Sequence, residues 1–267
     1  MTTVSATESA TRRETFVRAI ESQGYAILPD IVPAAMLAPL RAELRAAIDA
    51  ERALLEERYP EAHYGMVLLC SLYGGSLLKI LGEGSLMAPF EWVMGDGCII
   101  YAYTSSSMPP RAGNYSNRVH VDCPRLIPGY ITNMGATILL DDFTEQNGAT
   151  WFLPGSHTRA DAPSDDEFHH RASRVIAPAG SVFYFNARLW HAGGRNETDE
   201  WRHALTLNMC RPYMKQRIDI PRAMAQVDLS GTAEKALQKL GFLSQVPASY
   251  DEYYAPPAQR KYRQKAE

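Results

Sequence analysis

The chain has 267 residues, 46% of them hydrophobic, enough to bury one substantial core as a large single domain or one domain with an appendage. A formal net charge of -3 and a pI near 6.2 give no electrostatic reason to expect nucleic acid or an anionic membrane as partner. No apolar run reaches the length of a membrane span, and the polar opening, Met1 to Thr15, lacks the apolar core of a signal peptide. The cysteines Cys70, Cys98, Cys123 and Cys210 are scattered without the paired spacing of structural zinc or a disulfide framework, so a reducing cytoplasm is the expected setting.

Residues 1 to 10, rich in Thr, Ser and Ala, read as a loose tail. The spacing predicts a helix from about Arg12 to Ser22, ended by Gly24, then a short strand at Tyr25-Ala26-Ile27-Leu28 closed by Pro29 and Asp30. From Ala34 to about Arg58, Leu37, Leu40, Leu44, Ile48 and Leu55 recur at helical spacing among Arg and Glu. That pattern predicts a long amphipathic helix stopped before Pro60. Residues 63 to 95 mix apolar runs with interrupting glycines and carry no single period.

β signals dominate the remainder, with strands expected at 98–104, 118–122, 130–140, 150–153, 174–176, 181–186 and 202–211. Short strands between Gly, Pro, Asn and Asp turns, preceded by helices, give an α+β class: an antiparallel sandwich or barrel with N-terminal helices packed outside. Two long loops, 104–117 and 158–173, interrupt the strands as lids, substrate contacts or plain surface insertions. The end, from Ser249, reads as a poorly ordered tail. The domain expected is therefore 1–267, with flexible ends at 1–10 and about 255–267.

The chemistry centres on Asn117-Arg118-Val119-His120-Val121-Asp122. On an extended strand His120 and Asp122 project from one side, able to fill two adjacent corners of a metal's coordination sphere. His191, in Leu189-Trp190-His191-Ala192-Gly193-Gly194, is the candidate third ligand. Two His and one carboxylate with open positions form the facial triad of non-haem Fe(II) oxygenases. Farther on, strand parity places Arg202, Ala204, Thr206 and Asn208 on one face, where the planar fork of Arg202 suits a carboxylate. Cys123 has the opposite parity to Asp122 and reads as packing. His157 reads as structural, His203 as facing away from the site, and His63, His169 and His170 as surface residues. Tyr103, Arg111, Tyr115 and Arg125 lie near the metal strand and are candidates to meet a polar or anionic substrate.

These residues resemble the phytanoyl-CoA dioxygenase family of Fe(II)/2-oxoglutarate-dependent oxygenases. The resemblance rests on His120-x-Asp122 and on Asp141-Asp142-Phe143-Thr144-Glu145-Gln146-Asn147-Gly148-Ala149-Thr150 running into Leu153-Pro154-Gly155-Ser156-His157. Trp190-His191-Ala192-Gly193-Gly194, with Arg202 following, completes it, and Gly24-Tyr25-Ala26-Ile27-Leu28-Pro29 is similar to the family's opening.

The resemblance implies a double-stranded β-helix (jelly roll, cupin-like) that binds iron through His120, Asp122 and His191. It also implies that Arg202 binds the distal carboxylate of 2-oxoglutarate, with Asn117 and Thr150 near the cosubstrate. The implied cofactors are Fe(II), 2-oxoglutarate and O2, and the implied reaction is oxidation, above all hydroxylation, of a small molecule in secondary metabolism. Halogenating members lack the carboxylate that Asp122 supplies. The basic residues near the C-terminus form no coenzyme A site, so acyl-CoA is not the substrate expected. The residues themselves leave two alternatives open: a jelly-roll protein that binds 2-oxoglutarate without turnover, and a zinc-dependent hydrolase.

Overall fold

The computed structural model describes residues 6–260 of the chain. Helix α1 (Ala6–Ser22) leads into strand β1 (Tyr25–Leu28), followed by α2 (Ala34–Leu55), α3 (Gly75–Lys79) and α4 (Gly84–Met94). Strands β2 (Ile99–Ser105), β3 (Asn133–Leu139) and β4 (Trp151–Phe152) come next, then α5 (Asp165–Arg171). After these stand β5 (Ser173–Arg174), β6 (Val182–Asn186), β7 (His191–Ala192) and β8 (Ala204–Cys210). Three short helices, α6 (Ile220–Ala223), α7 (Glu234–Lys239) and α8 (Tyr250–Tyr253), close the described chain.

The strands form a five-stranded antiparallel sheet in the order β1-β6-β3-β8-β2 and a three-stranded one in the order β5-β4-β7. Side-chain alternation divides the large sheet into two faces with different tasks. Met134, Ala136 and Ile138 of β3, Tyr184 of β6 and Leu205, Leu207 and Met209 of β8 join one buried cluster. Phe16 and Ile20 of α1, Leu40, Leu44 and Ile48 of α2 and Phe90 of α4 pack into the same cluster. Full burial of each such side chain stabilises by roughly 1.5–3 kcal/mol, which is why the helices lie on this face. The opposite parity gives Leu139, Phe183, Phe185 and Ala204 to a second cluster, and leaves Thr137, Thr206 and Asn208 lining a cavity.

The amphipathic helix runs almost as its periodicity predicts. It ends at Leu55, and a 3-10 turn, Glu56–Arg58, carries the chain on toward Pro60. Several expectations require correction. The first helix starts at Ala6, inside the stretch read as a loose tail; residues 1–5 and 261–267 lie outside the described residues. Residues 118–122 make no strand: a 3-10 turn, Tyr115–Asn117, is followed by extended chain that touches β7 in one isolated bridge. The loop 158–173 contains α5, capped by the Ser164 hydroxyl, which accepts from the Glu167 amide, with three acidic residues in its first turn. No helix among the described residues is long and apolar enough to cross a membrane.

Candidate metal centre

The bridge between His120 and His191 builds the site. Each backbone amide donates to the other's carbonyl, at 2.9 and 3.0 Å, so the two imidazoles stand side by side with ring centroids 4.4 Å apart. Asp122 is placed differently: its amide and that of Cys123 both donate to the Ala187 carbonyl. Asp122 Oδ1 lies 3.5 Å from His120 Nε2 and 3.8 Å from His191 Nε2. Two atoms that each bind one ion at about 2.1 Å are at most about 4.2 Å apart, so both distances fall within reach of a single cation. Ligand atoms of all three residues lie within 4.8 Å of one another.

The surroundings prepare each donor. His120 Nδ1 faces the Arg118 carbonyl at 2.7 Å, and His191 Nδ1 faces the Leu189 carbonyl at 2.9 Å. A carbonyl only accepts, so both Nδ1 atoms carry the proton and both Nε2 lone pairs are turned to the shared space. Asp122 Oδ2 accepts from Asn208 Nδ2 at 3.1 Å, which leaves Oδ1 for the same space. Burial lowers the pKa of His191, against the pull of Asp122, and keeps this imidazole neutral. At Asp122 burial acts upward but is outweighed by His120, His191 and Asn208, so its carboxyl stays ionised. At His120 burial acts downward, and the hydrogen bond and charge of Asp122 carry the net shift upward.

These side chains open into a cavity of about 560 Å³ that Thr150 and Arg202 also line. Arg202 is 1% exposed, yet its guanidinium donates only one hydrogen bond, from Nη2 to the Gly148 carbonyl at 3.3 Å; Nε and Nη1 have no partner. Its Cζ sits 4.2 Å over the Phe143 ring. Desolvation lowers its pKa to about 9, with Asp141 opposing. A buried guanidinium with two unanswered nitrogens is costly, and an anion placed in the cavity would answer one edge of its fork.

Of the cosubstrate candidates, Thr150 is buried and lines the cavity. Asn117 is engaged with backbone: its Nδ2 donates to the Gly193 carbonyl at 2.8 Å and its Oδ1 accepts from the Asn114 amide. It thereby ties the 3-10 turn before His120 to the turn after His191. Tyr103 is a core residue whose hydroxyl donates to the Leu77 carbonyl, Arg111 pairs with Asp199 at the surface, and Arg125 is exposed outside the cavity lining. Tyr115 does line the cavity. So does His63, packed edge-on against the Tyr115 ring, which corrects its reading as a plain surface residue. His157 faces the Glu21 carbonyl through Nε2, and His203 turns away from the site to Asp141.

Sequence reasoning missed the role of Asn208. Its signal is the parity that it shares with Arg202, which lies just before β8. Phe185 was missed as well: its ring lies 4.9 Å from that of His191, in the space left by Gly135 on the neighbouring strand.

Residues 92–204 match the model of the family described as phytanoyl-CoA dioxygenase (PhyH), a stretch that contains His120, Asp122, His191 and Arg202. Uncharacterized protein Rv1501 of Mycobacterium tuberculosis is 32% identical over 254 residues, spanning 92% of each chain. Dioxygenase FUM3 of Gibberella moniliformis is 32% identical over 117 residues, 40% of this chain and 35% of that one. Among solved structures, the non-heme alpha ketoglutarate dependent carbocyclase SnoK from nogalamycin biosynthesis aligns with a TM-score of 0.59. It covers 74% of this chain and 84% of its own at 20% identity, a likeness of fold.

Proposed function

This chain belongs to the phytanoyl-CoA dioxygenase (PhyH) family, and from that premise we propose that His120, Asp122 and His191 hold one ferrous ion while Arg202 holds the distal carboxylate of 2-oxoglutarate. As a member it is a non-haem iron oxygenase that uses Fe(II), 2-oxoglutarate and O2 on a small molecule. The single observation that carries the residue assignment is the buried, underpaired guanidinium of Arg202 in the cavity that the triad also lines.

Bound iron supplies O2 activation coupled to decarboxylation of 2-oxoglutarate. The chain supplies position. The Arg118 and Leu189 carbonyls hold both imidazoles in one tautomer, Asn208 fixes the carboxylate, and Arg202 orients the cosubstrate toward the metal. The Phe185 ring and the Thr137 and Thr206 side chains occupy the inner wall and exclude water there. We read Asn117 as a positioning residue and Thr150 as a cosubstrate contact.

The finer readings belong to the same proposal. Two antiparallel sheets with the cavity lined from the inner parity of β3 and β8 support a double-stranded β-helix, which we take as one domain. The carboxylate at Asp122 supports hydroxylation, and the fold shared with a nogalamycin-biosynthesis carbocyclase supports a place in secondary metabolism.

The test is succinate formation from 2-oxoglutarate with a substrate panel. It should require Fe(II) and be lost in His120→Ala. Arg202→Met, which replaces a buried unpaired charge with an apolar group of similar length, should fold with a raised Tm. That variant should lose both turnover and the rise in Tm that 2-oxoglutarate gives the parent. A fully active Arg202→Met protein would overturn the assignment.

A further inference from the structure

Resting on the iron and 2-oxoglutarate reading above, we propose that the outer half of the cavity selects an organic anion. The substrate would have an apolar body and one carboxylate or singly ionised phosphonate group, held by Arg118 and Arg217.

Charge counting carries the inference. Fe(II) and Arg202 bring three positive charges to the inner half, and Asp122 and 2-oxoglutarate bring three negative, so that half is neutral once loaded. Outside it, the cavity is lined by two cations, Arg118 and Arg217, and one carboxylate, Glu51. Glu51 is already occupied. Its oxygens accept the Leu68 amide at 3.0 and 3.1 Å, and the Tyr73 hydroxyl hydrogen-bonds to its side chain. Neither arginine forms an ion pair among the described residues. The loaded site therefore keeps a net positive charge in its outer half, which a monoanion neutralises.

Arg118 and Arg217 both belong to the lining of this cavity. The Arg118 guanidinium lies 4.4 Å over the Tyr115 ring and donates to the Tyr115 hydroxyl, which fixes its plane while leaving donors for a ligand. The backbone of Arg217 is fixed beside Tyr101, whose carbonyl accepts the Arg217 amide at 2.9 Å. The same lining includes the apolar side chains Leu55, Met66 and Leu68 beside polar ones such as Thr104, Ser105 and Ser106, and Leu68 is 48% exposed, the kind of surface a bound apolar body covers. The two guanidinium groups would take the acidic group of such a molecule and these side chains its apolar body.

The test is calorimetry on full-length protein loaded anaerobically with Fe(II) and saturating 2-oxoglutarate. The probes are cyclohexanecarboxylate, cyclohexylphosphonate and the neutral isostere cyclohexanecarboxamide. At least one anion should bind about tenfold more tightly than the amide, the size of one charge-assisted hydrogen bond at a partly solvated site, and the tighter anion names the head group. The preference should weaken with added salt and fall to within about twofold in the double variant Arg118→Gln/Arg217→Gln. The single variant Arg217→Gln, at a residue outside the metal and 2-oxoglutarate site, should weaken the preference while 2-oxoglutarate affinity stays within about twofold of the parent. Equal affinity for anion and amide, no binding of either anion, or a preference that survives in the double variant overturns the proposal. Failure of the parent to bind 2-oxoglutarate would instead strike the reading on which it rests.

Discussion

The Asp122 carboxylate carries one oxygen turned to the imidazoles and one tied to Asn208 at 3.1 Å, and Asn208 Oδ1 in turn accepts from Asn133 Nδ2 at 3.3 Å. Both asparagines are buried, so this short chain of amides sits where an unmade hydrogen bond is most costly. Bonds of this type typically hold a ligand worth about 10–100-fold in metal affinity. Asn208→Ala should therefore weaken Co(II) binding by about that factor, read by anaerobic titration; affinity within threefold of the parent would show that the bond does not orient the ligand. The same scale exposes what residue type alone conveys. His120, Asp122, His191 and Arg202 can be picked out because few other side chains do their chemistry. Asn117 and Asn208 cannot be told apart that way: one amide ties two turns together and the other orients a carboxylate, with identical donors and acceptors.

At the scale of elements, two glycines decide how the site closes. Gly148, at φ +82°, packs so tightly on the turn after β7 that a Cβ there would lie 2.6 Å from the Gly194 carbonyl. The Asn-Gly-Ala-Thr and His-Ala-Gly-Gly stretches thus dock through bare backbone, and the docking presents the Gly148 carbonyl to Arg202. On β3, Gly135 leaves the space that the Phe185 ring fills beside His191. Gly135→Ala should cost about 1–3 kcal/mol by overpacking and also weaken metal binding, because the displaced ring packs on His191, the proposed ligand. Gly84→Ala, at the start of α4 with open space around it, is the control and should leave both within error. Denaturant unfolding and Co(II) titration of the two variants check this, and equal behaviour would remove Phe185 from the site's support. Strand periodicity found β2, β3, β6 and β8 to within a few residues and assigned the inner face of β8. It mistook 118–122 for a strand, because that extended chain pairs through one bridge and borrows its other bonds from Ala187.

Across the whole molecule, Asp141 links the helical layer to the sheet behind the cavity. Its carboxylate accepts from Arg41 of α2 at 3.1 Å and from the amide and Nδ1 of His203 at 2.8 and 2.7 Å. Burial pushes its pKa up, but the His203 hydrogen bonds and Arg41 outweigh burial and the net shift is downward. A group whose pKa is depressed on folding stabilises the fold above its unfolded value, and that contribution is lost as pH falls through the folded value. Asp141→Asn should therefore be less stable than the parent by about 2 kcal/mol at neutral pH, with the gap closing as pH drops below the usual aspartate value of 3.8. Urea unfolding at a series of pH values measures it; a gap independent of pH would show that the charge is not what Asp141 contributes.

Local chemistry, written in the order of residues, determined the helix that covers the sheet, the alternation that gives β3 and β8 two unlike faces, and the identity of the side chains able to bind a cation and an anion. Those features depend on periods of two or 3.6 residues and on functional groups, both readable over a few positions. Only the tertiary structure decided that His120 and His191 bridge, that His63 and Tyr115 line the cavity while Tyr103 belongs to the core, and that Arg118 and Arg217 line the same cavity as Glu51. Each of these is a pairing between segments far apart in the chain. Such pairings are set by how the sheets and helices pack as a whole, and no short-range pattern encodes them.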